Sequence, residues 1–190
     1  PYGCPTVDPE TRVRDWDGTG KLRALFVGRL TAGKGVAALA TAVERLHRHV
    51  EFTLIGVRPN VRSAALDRLI SSTRYLGAVP RELVMREMSR AHVFVLPSLV
   101  EGRSLAALEA LANGLPSVVT AGTGVDDLVE QGAGPVVAVG DKESFVDAIE
   151  ALLSQPSEIA RYSEHAIQIA RNNNWDQYKS VIANLPLHPA

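Results

Sequence analysis

Two groups of charged residues follow apolar runs of the sequence, where they could bind an anion or a sugar. In the first group, Arg29 and Lys34 stand in a glycine-rich segment, residues 28–35, directly after the apolar run 25–27. Arginine can hold a phosphate through two parallel hydrogen bonds, and lysine adds a compact positive charge. We therefore interpret segment 28–35 as a phosphate-binding turn, with two solvated cations that pair with nearby acids as the alternative.

The same segment nearly matches the nucleoside triphosphate-binding pattern G-x4-G-K-[ST]. Gly35 occupies the last position, where that pattern needs a hydroxyl group to bind Mg²⁺. A nucleoside triphosphatase that uses residues 28–34 stays an alternative, and magnesium-dependent binding of ATP or GTP would favour it.

The second group, Glu101 and Glu109, surrounds the start of a predicted helix, residues 104–113. Ser104 is a suitable N-cap, and Gly114 is suited to end the helix. Glu109 is the only charged residue of that helix, so it either faces solvent or accepts hydrogen bonds from sugar hydroxyls in a cleft. The two carboxylates would lie about 12 Å apart, beyond the roughly 5 to 9.5 Å of glycosidase pairs, so the spacing favours binding over hydrolysis.

Alternating elements must position these residues. Short apolar runs of β type predict strands at 25–27, 52–55, 93–96, 117–119 and 136–138, with a weaker one at 74–76. Helical segments lie between and after them, at 36–48, 61–71, 81–90, 104–113, 125–131, 143–153, 156–171 and 175–183. The pattern predicts an α/β fold, a Rossmann-like, doubly wound parallel sheet of about six strands with a helical C-terminal tail. Ligands of such sheets bind beyond the carboxyl ends of the strands, where both charged groups fall.

Composition and charge exclude several functions. The 190 residues carry a net charge of −1 and are 46% hydrophobic and 22% charged, as in an ordinary globular domain. Because there is no excess of positive charge and no interleaving of basic and aromatic residues, we expect no nucleic-acid partner. No strand leads into G-x-G-x-x-G, which argues against a nicotinamide-dependent dehydrogenase.

The remaining residues bear on location and domain organisation. The single cysteine, Cys4, cannot form an internal disulfide, and the five histidines do not cluster at metal-ligand spacing. We therefore predict a cytoplasmic protein without a metal site. Residues 1–20 are rich in Pro, Gly, Asp and Thr and lack periodicity, so we expect a linker or arm there, followed by one domain at 21–190. The start at Pro1 suggests a domain of a longer protein.

Together these residues resemble the nucleotide-sugar-binding half of a GT-B glycosyltransferase, most of all the retaining enzymes of glycosyltransferase family 4. The G-R-L…K-G pattern of that family is present as Gly28, Arg29, Leu30, Lys34 and Gly35. Its E-x7-E signature, set in P-S…E-G-x-G-L…E-A…G-x-P-V-V, is present as Pro97, Ser98, Glu101, Gly102, Leu105, Glu109, Ala110, Gly114, Pro116, Val118 and Val119. The resemblance covers residues 22–184.

The resemblance implies a role for each matching residue. Arg29 and Lys34 would hold the diphosphate of the donor and neutralise charge as the sugar–phosphate bond breaks. Glu101 would face the transferred sugar, and Glu109 would bind the ribose hydroxyls. Further donor contacts are implied for the backbone amides of Gly102, Arg103, Ser104 and Leu105 and, at the base, for Leu76 and Gly77. The resemblance implies no side-chain nucleophile, because the leaving phosphate is thought to help deprotonate the acceptor. It also implies no metal ion.

The function implied is transfer of a hexose-type sugar from a UDP-, GDP- or ADP-linked donor, without a cofactor. An N-terminal acceptor-binding domain would complete the site, and membrane association would depend on that domain. Arg103 and Ser104 replace the usual F-G of the family, and Asp126-Asp127 stands where Pro-Glu is common. These departures leave the donor sugar open and keep a degenerate, non-catalytic nucleotide-sugar-binding module as the alternative.

Overall fold

A parallel β-sheet forms the centre of the domain in the computed structural model, which describes residues 3–175, 179, 180 and 183. The strands are β1 (Leu22–Val27), β2 (Val50–Ile55), β3 (Arg74–Gly77), β4 (Val93–Leu96), β5 (Ser117–Thr120) and β6 (Val136–Val137). They lie in the order β3-β2-β1-β4-β5-β6, and every neighbouring pair is parallel. The predicted Rossmann-like, doubly wound α/β fold is confirmed.

Helices cover both faces of this sheet. They are α1 (Val36–Leu46), α2 (Ala64–Ser71), α3 (Arg81–Arg90), α4 (Leu105–Ala112), α5 (Asp126–Val129), α6 (Lys142–Ser154) and α7 (Ser157–Asn172), with a short 3-10 helix at Ala32–Lys34. Helix α1 packs against α2 and α6, and α4 packs against α7. Crossovers between parallel strands are right-handed as a rule, which puts these two groups on opposite faces of the sheet. Strands β4 and β5 are buried along their whole lengths. No helix in the described part of the chain is long and apolar enough to cross a membrane.

Most element boundaries lie within about three residues of the positions that periodicity predicts. Strand β4 and helix α3 begin and end at the predicted residues. Helix α2 begins at Ala64 rather than at residue 61, because the Ser63 side chain accepts a hydrogen bond from the backbone N–H of Leu66 (3.3 Å) and caps the helix there. The helix predicted at 175–183 lies largely outside the described residues.

The strand order of the sheet changes direction between β1 and β4, which makes this position the topological switch point. Strands β2 and β3 extend the sheet on one side of β1, whereas β4, β5 and β6 extend it on the other. Strand β1 pairs with β2 along six residues but with β4 only through Ala24–Val93 and Leu25–Phe94. The loops that leave β1 and β4 therefore lead away to opposite sides of a crevice, the usual ligand position in sheets of this kind.

The arm at residues 3–20 forms no helix or strand and lies against the domain. Cys4 is fully buried, and its backbone N–H donates to the carbonyl oxygen of Asn173 (2.7 Å). Burial raises the pKa of the Cys4 thiol to about 11, so the thiol is neutral at pH 7. Arg14 Nη2 donates to the carbonyl oxygen of Asn113 (2.8 Å) at the end of α4. The arm is thus fixed to α4 and to the residues that follow α7.

Trp16, at the end of the arm, packs on a buried histidine. His92 is only 6% exposed, and its ring centroid lies 6.1 Å from that of Trp16. His92 Nδ1 accepts a hydrogen bond from the backbone N–H of Arg23 (3.2 Å), which requires an unprotonated nitrogen. Burial, and then the positive charges of Arg23 and Arg14, lower the pKa of His92 to about 4.

We expect the free energy of unfolding to fall as the pH is lowered from 6.5 to about 4. In the unfolded chain His92 binds a proton near pH 6.5, whereas in the folded protein it stays neutral until about pH 4. The contribution of His92 to the free energy of unfolding is therefore complete above pH 6.5 and is lost as the pH falls from 6.5 to about 4. The loss amounts to about 3 kcal/mol and is measurable by chemical denaturation at a series of pH values. His92→Gln should flatten this slope, and the exposed control His49→Gln should keep it. Equal slopes in the two variants would contradict the assignment.

Candidate functional site

The loops that follow β1 and β4 touch each other at Gly35. This residue has a φ of +72°, and a Cβ atom added there would lie 1.7 Å from the carbonyl oxygen of Pro97. The backbone N–H of Leu99 also donates to the carbonyl oxygen of Gly33 (2.8 Å). Any side chain at position 35 would overlap the Pro97 carbonyl, so only glycine allows this approach. The contact brings the end of the cationic segment against the start of the Glu101 loop.

Lys34 and Glu101 meet across this contact. Lys34 Nζ donates a hydrogen bond to Glu101 Oε2 and forms an ion pair with it. Their side chains are 25% and 14% exposed, so both charges are partly shielded from water. Arg29 lies on the same loop and is exposed. Two of the three residues predicted to be catalytic are therefore in direct contact, and the third is open to solvent.

Helix α4 begins at the same crevice. The Ser104 side chain accepts a hydrogen bond from the backbone N–H of Ala107 (3.3 Å), which confirms the predicted N-cap. Gly102 and Leu105, two of the residues predicted to bind the donor, are exposed beside it. The first N–H groups of a helix favour an anion, because they carry partial positive charge and lack partners within the helix.

Arg103 bridges the loops that follow β4 and β5. Its Nη1 donates to the carbonyl oxygen of Gly124 (2.7 Å) and lies 3.8 Å from Asp127 Oδ1, and the side chain is 15% exposed. A Cβ atom on Gly124 would lie 2.1 Å from the carbonyl oxygen of Gly102, so the two loops are in close contact. Arg103 and Asp127 both depart from the family pattern, and the structure brings the two departures together.

Glu109, the predicted ribose ligand, is largely buried on α4. Its side chain is 16% exposed, and its Oε1 atom forms an ion pair with Nη1 of Arg81, the first residue of α3. At this exposure Glu109 does not lie on an open solvent face. Sequence reasoning missed Arg81, because no local pattern links the first residue of α3 to Glu109 on α4.

Leu76 and Gly77, predicted to lie near the base, occupy the carboxyl end of β3 and are half-buried. The backbone N–H of Gly56 donates to the carbonyl oxygen of Gly77 (2.8 Å), and the Tyr75 hydroxyl donates to the carbonyl oxygen of Gly56 (3.0 Å). These bonds tie the ends of β2 and β3 together. Because α3 begins shortly after Gly77, the predicted base and ribose contacts lie at one edge of the sheet.

Two further polar side chains belong to this edge. Among the described residues, the hydroxyl groups of Ser98 and Thr123 are buried without a hydrogen-bond partner. An unpaired buried hydroxyl costs about 1–3 kcal/mol, so each is a candidate contact for a bound ligand. Sequence reasoning gave Ser98 no role and missed Thr123, because a lone threonine between two glycines matches no motif.

An apolar cavity of about 590 Å³ adjoins the β1 and β4 loops on the side of α1, α2 and α6. Its lining includes Leu30, Val36, Val61, Leu66 and Leu99. Exposed large apolar side chains at the same edge of the sheet are Val57, Val61, Leu99, Val100, Leu105 and Val139.

A doubly wound sheet with a cation, two carboxylates and a helix N-terminus at its switch point has the architecture of a nucleotide-binding domain. The family model described as "Glycosyl transferases group 1" matches residues 21–155. The chain belongs to this family of glycosyltransferases.

Curated relatives of the chain include a biosynthesis glycosyltransferase and a glycogen synthase. The amylovoran biosynthesis glycosyltransferase AmsK of Erwinia amylovora is 33% identical over 148 residues, 70% of this chain. A glycogen synthase of Mycobacterium tuberculosis (strain H37Rv) is 30% identical over 178 residues, 89% of this chain. The chain spans 36% and 43% of the lengths of these two relatives.

Solved structures share the fold. The apo form of the lipopolysaccharide outer core galactosyltransferase WaaB has a TM-score of 0.77 at 19% identity, over 96% of this chain and 53% of its own. A second structure, "Trehalose-6-phosphate from E. coli bound with UDP-2-fluoro glucose", has a TM-score of 0.70 at 17% identity, over 92% of this chain and 46% of its own.

Gly35→Ala should lower the free energy of unfolding by about 2–4 kcal/mol, because the new methyl group meets the Pro97 carbonyl and the backbone is left-handed there. Gly33→Ala is the matched control: it lies on the same loop, and a Cβ atom there has nothing within 4 Å. That control should change stability by less than about 1 kcal/mol. Urea denaturation measures both, and equal stabilities would contradict the role of the contact.

Proposed function

We propose that this chain is the donor-binding domain of a retaining glycosyltransferase, most similar to glycosyltransferase family 4, that moves a hexose-type sugar from a nucleoside diphosphate sugar. The observation that carries the proposal is the contact of Lys34 with Glu101 at the switch point of the sheet. It joins the two motifs of the family, which are far apart in the sequence, in one crevice. The family match over residues 21–155 supports the assignment.

In this proposal, the diphosphate binds between Lys34, Arg29 and the N-terminus of α4. The bond between the anomeric carbon and the phosphate oxygen breaks, and the acceptor oxygen bonds to the same carbon on the same face. The proton of the acceptor hydroxyl passes to the leaving phosphate. Lys34 and Arg29 stabilise the negative charge that grows on the diphosphate during this step. Lys34 also pairs with Glu101, so the carboxylate and the diphosphate share this cation in the proposed site.

The nucleotide base is proposed to lie against Leu76 and Gly77, with the ribose on Glu109. The short distance in sequence from Gly77 to Arg81, which pairs with Glu109, supports base and ribose contacts beside each other at this edge. The relative bound with UDP-2-fluoro glucose supports a nucleotide sugar as the class of donor, with UDP, GDP and ADP as the candidates to test.

A second domain is proposed to supply the acceptor site. Because the chain spans 36% and 43% of the lengths of two curated relatives, more than half of each relative lies outside the match. The exposed apolar side chains at the carboxyl edge, Val100 at 79% exposure above all, are suited to face such a domain.

The alternative of a degenerate, non-catalytic nucleotide-sugar-binding module rests on Arg103 and Ser104. The Arg103 guanidinium contacts Gly124 and Asp127, so it differs from the aromatic residue common in the family in both charge and contacts. Such a module would bind donor and leave it intact even when the second domain is present. A triphosphatase would instead need Mg²⁺ and a triphosphate.

Lys34→Ala should weaken binding of the preferred nucleoside diphosphate by about 10- to 100-fold, because one charge-assisted contact to phosphate is lost. Titration calorimetry with UDP, GDP and ADP, with and without Mg²⁺, measures this. The matched control is Lys21→Ala, since Lys21 precedes β1 at the opposite edge and donates to the His47 carbonyl oxygen (2.8 Å). Glu109→Ala should weaken binding as well. Binding that is unaffected by Lys34→Ala, or that requires Mg²⁺ and a triphosphate, would contradict the proposal.

The 190-residue chain alone should bind a nucleoside diphosphate and release no free sugar or transfer product from UDP-, GDP- or ADP-glucose, because half of the proposed site is supplied by the second domain. The chain joined to that domain should transfer. Turnover by the 190 residues alone would contradict the two-domain site. Donor binding without turnover in the two-domain protein would favour the non-catalytic module.

A further inference from the structure

Arg81 has no role in the function proposed above, yet it contacts the carboxylate to which the ribose is assigned. It is the first residue of α3, and its Nη1 pairs with Glu109 Oε1 on α4. The two side chains differ in burial, with Glu109 at 16% exposure and Arg81 at 62%. The pair therefore has a buried acid and an open cation, and the cation faces the solvent side of the crevice edge.

A second contact fixes the register of the two helices. One turn after Arg81, Met85 Sδ lies 3.8 Å from Asn113 Nδ2, and Asn113 is one turn after Glu109. Asn113 Nδ2 also donates to the carbonyl oxygen of Glu109 (2.8 Å). The two contacts are four residues apart on α3 and four residues apart from Glu109 to the C-cap Asn113, so they join the first turns of α3 to the second half of α4.

The hydrogen-bonding capacity of this pair suits a hydroxyl group. The carboxylate only accepts, and Arg81 uses one of its five N–H donors in the ion pair with Oε1. The second oxygen, Oε2, is outside that bond. A hydroxyl both donates and accepts, so one placed against the pair donates to Glu109 and accepts from Arg81. A hydrogen atom in its place leaves the largely buried Glu109 carboxylate short of one hydrogen bond, which costs more than the loss of a contact between neutral groups.

We propose that Arg81 is a positioning and specificity-determining residue, which orients Glu109 and, with it, selects ribonucleoside over deoxyribonucleoside diphosphate donors. This inference rests on the proposed function, because it takes Glu109 as the ribose ligand. It extends that function to a residue that matches no motif, and it restricts the donor to one class of sugar nucleotide.

The test is titration calorimetry on the full 190-residue chain with whichever of UDP, GDP and ADP binds most tightly, and with its 2′-deoxy and 3′-deoxy forms. The wild type should bind the ribonucleotide at least about tenfold more tightly than one of the deoxy forms. Arg81→Ala should weaken binding of the ribonucleotide by about 5- to 20-fold and bring the ratio of ribonucleotide to deoxynucleotide affinity close to one. Arg81→Lys should restore part of that affinity ratio. The control Arg86→Ala, an exposed arginine on the same helix, should leave both values unchanged.

The calorimetry distinguishes failure of the inference about Arg81 from failure of the proposed function. If the wild type binds a diphosphate and Glu109→Ala weakens it, but Arg81→Ala keeps both the affinity and the ribose preference, the inference is wrong and the proposed function stands. If no diphosphate binds, or Glu109→Ala has no effect, both are wrong. A loss of fold alone weakens binding of both nucleotides and does not change the preference for ribose. If Arg81→Ala does not fold, Arg81→Lys, which keeps the charge, provides the second measurement.

Discussion

The close approach of Gly35 to the Pro97 carbonyl is the constraint on which the site depends. The ends of β1 and β4 lie next to each other, but the loops that leave them lead to opposite sides of the sheet. Only because position 35 has no side chain can the β1 loop turn onto the β4 loop. The Lys34–Glu101 pair, the bond from Leu99 to Gly33 and the position of α4 beside the crevice all follow from that contact.

Charge at this edge is organised in pairs that span different elements. Lys34 joins the β1 and β4 loops, Arg81 joins α3 and α4, and Arg103 joins the β4 and β5 loops. In each pair at least one side chain is exposed by 16% or less, so the charges interact through a medium less polar than bulk water. These pairs hold the β1, β4 and β5 loops and helices α3 and α4 in place at this edge.

The sequence predicts the fold well because the strands and helices are specified by local sequence patterns. Apolar runs such as 93–96 and caps such as Ser104 depend on neighbouring residues alone, and so the six strands and the N-cap of α4 were predictable. The motif residues were predictable through their spacing. Arg81 was not, because its pairing with Glu109 depends on how α3 packs against α4. The bond of Cys4 to Asn173 was hidden for the same reason, since no local pattern links the two ends of the described chain.

The bridge from Arg103 to Gly124 and Asp127 has a consequence for exchanging parts between members of this family. Segments 101–105 and 122–127 come from different parts of the chain, but they share one guanidinium and one glycine contact. A chimera that receives only the first segment from a relative with an aromatic residue at 103 loses the bond to the Gly124 carbonyl oxygen and the ion pair with Asp127, whereas one that receives only the second can lose the ion pair alone. Recombination of these two loops keeps the whole bridge only when both segments come from one parent, and a library that randomises position 103 should include position 127.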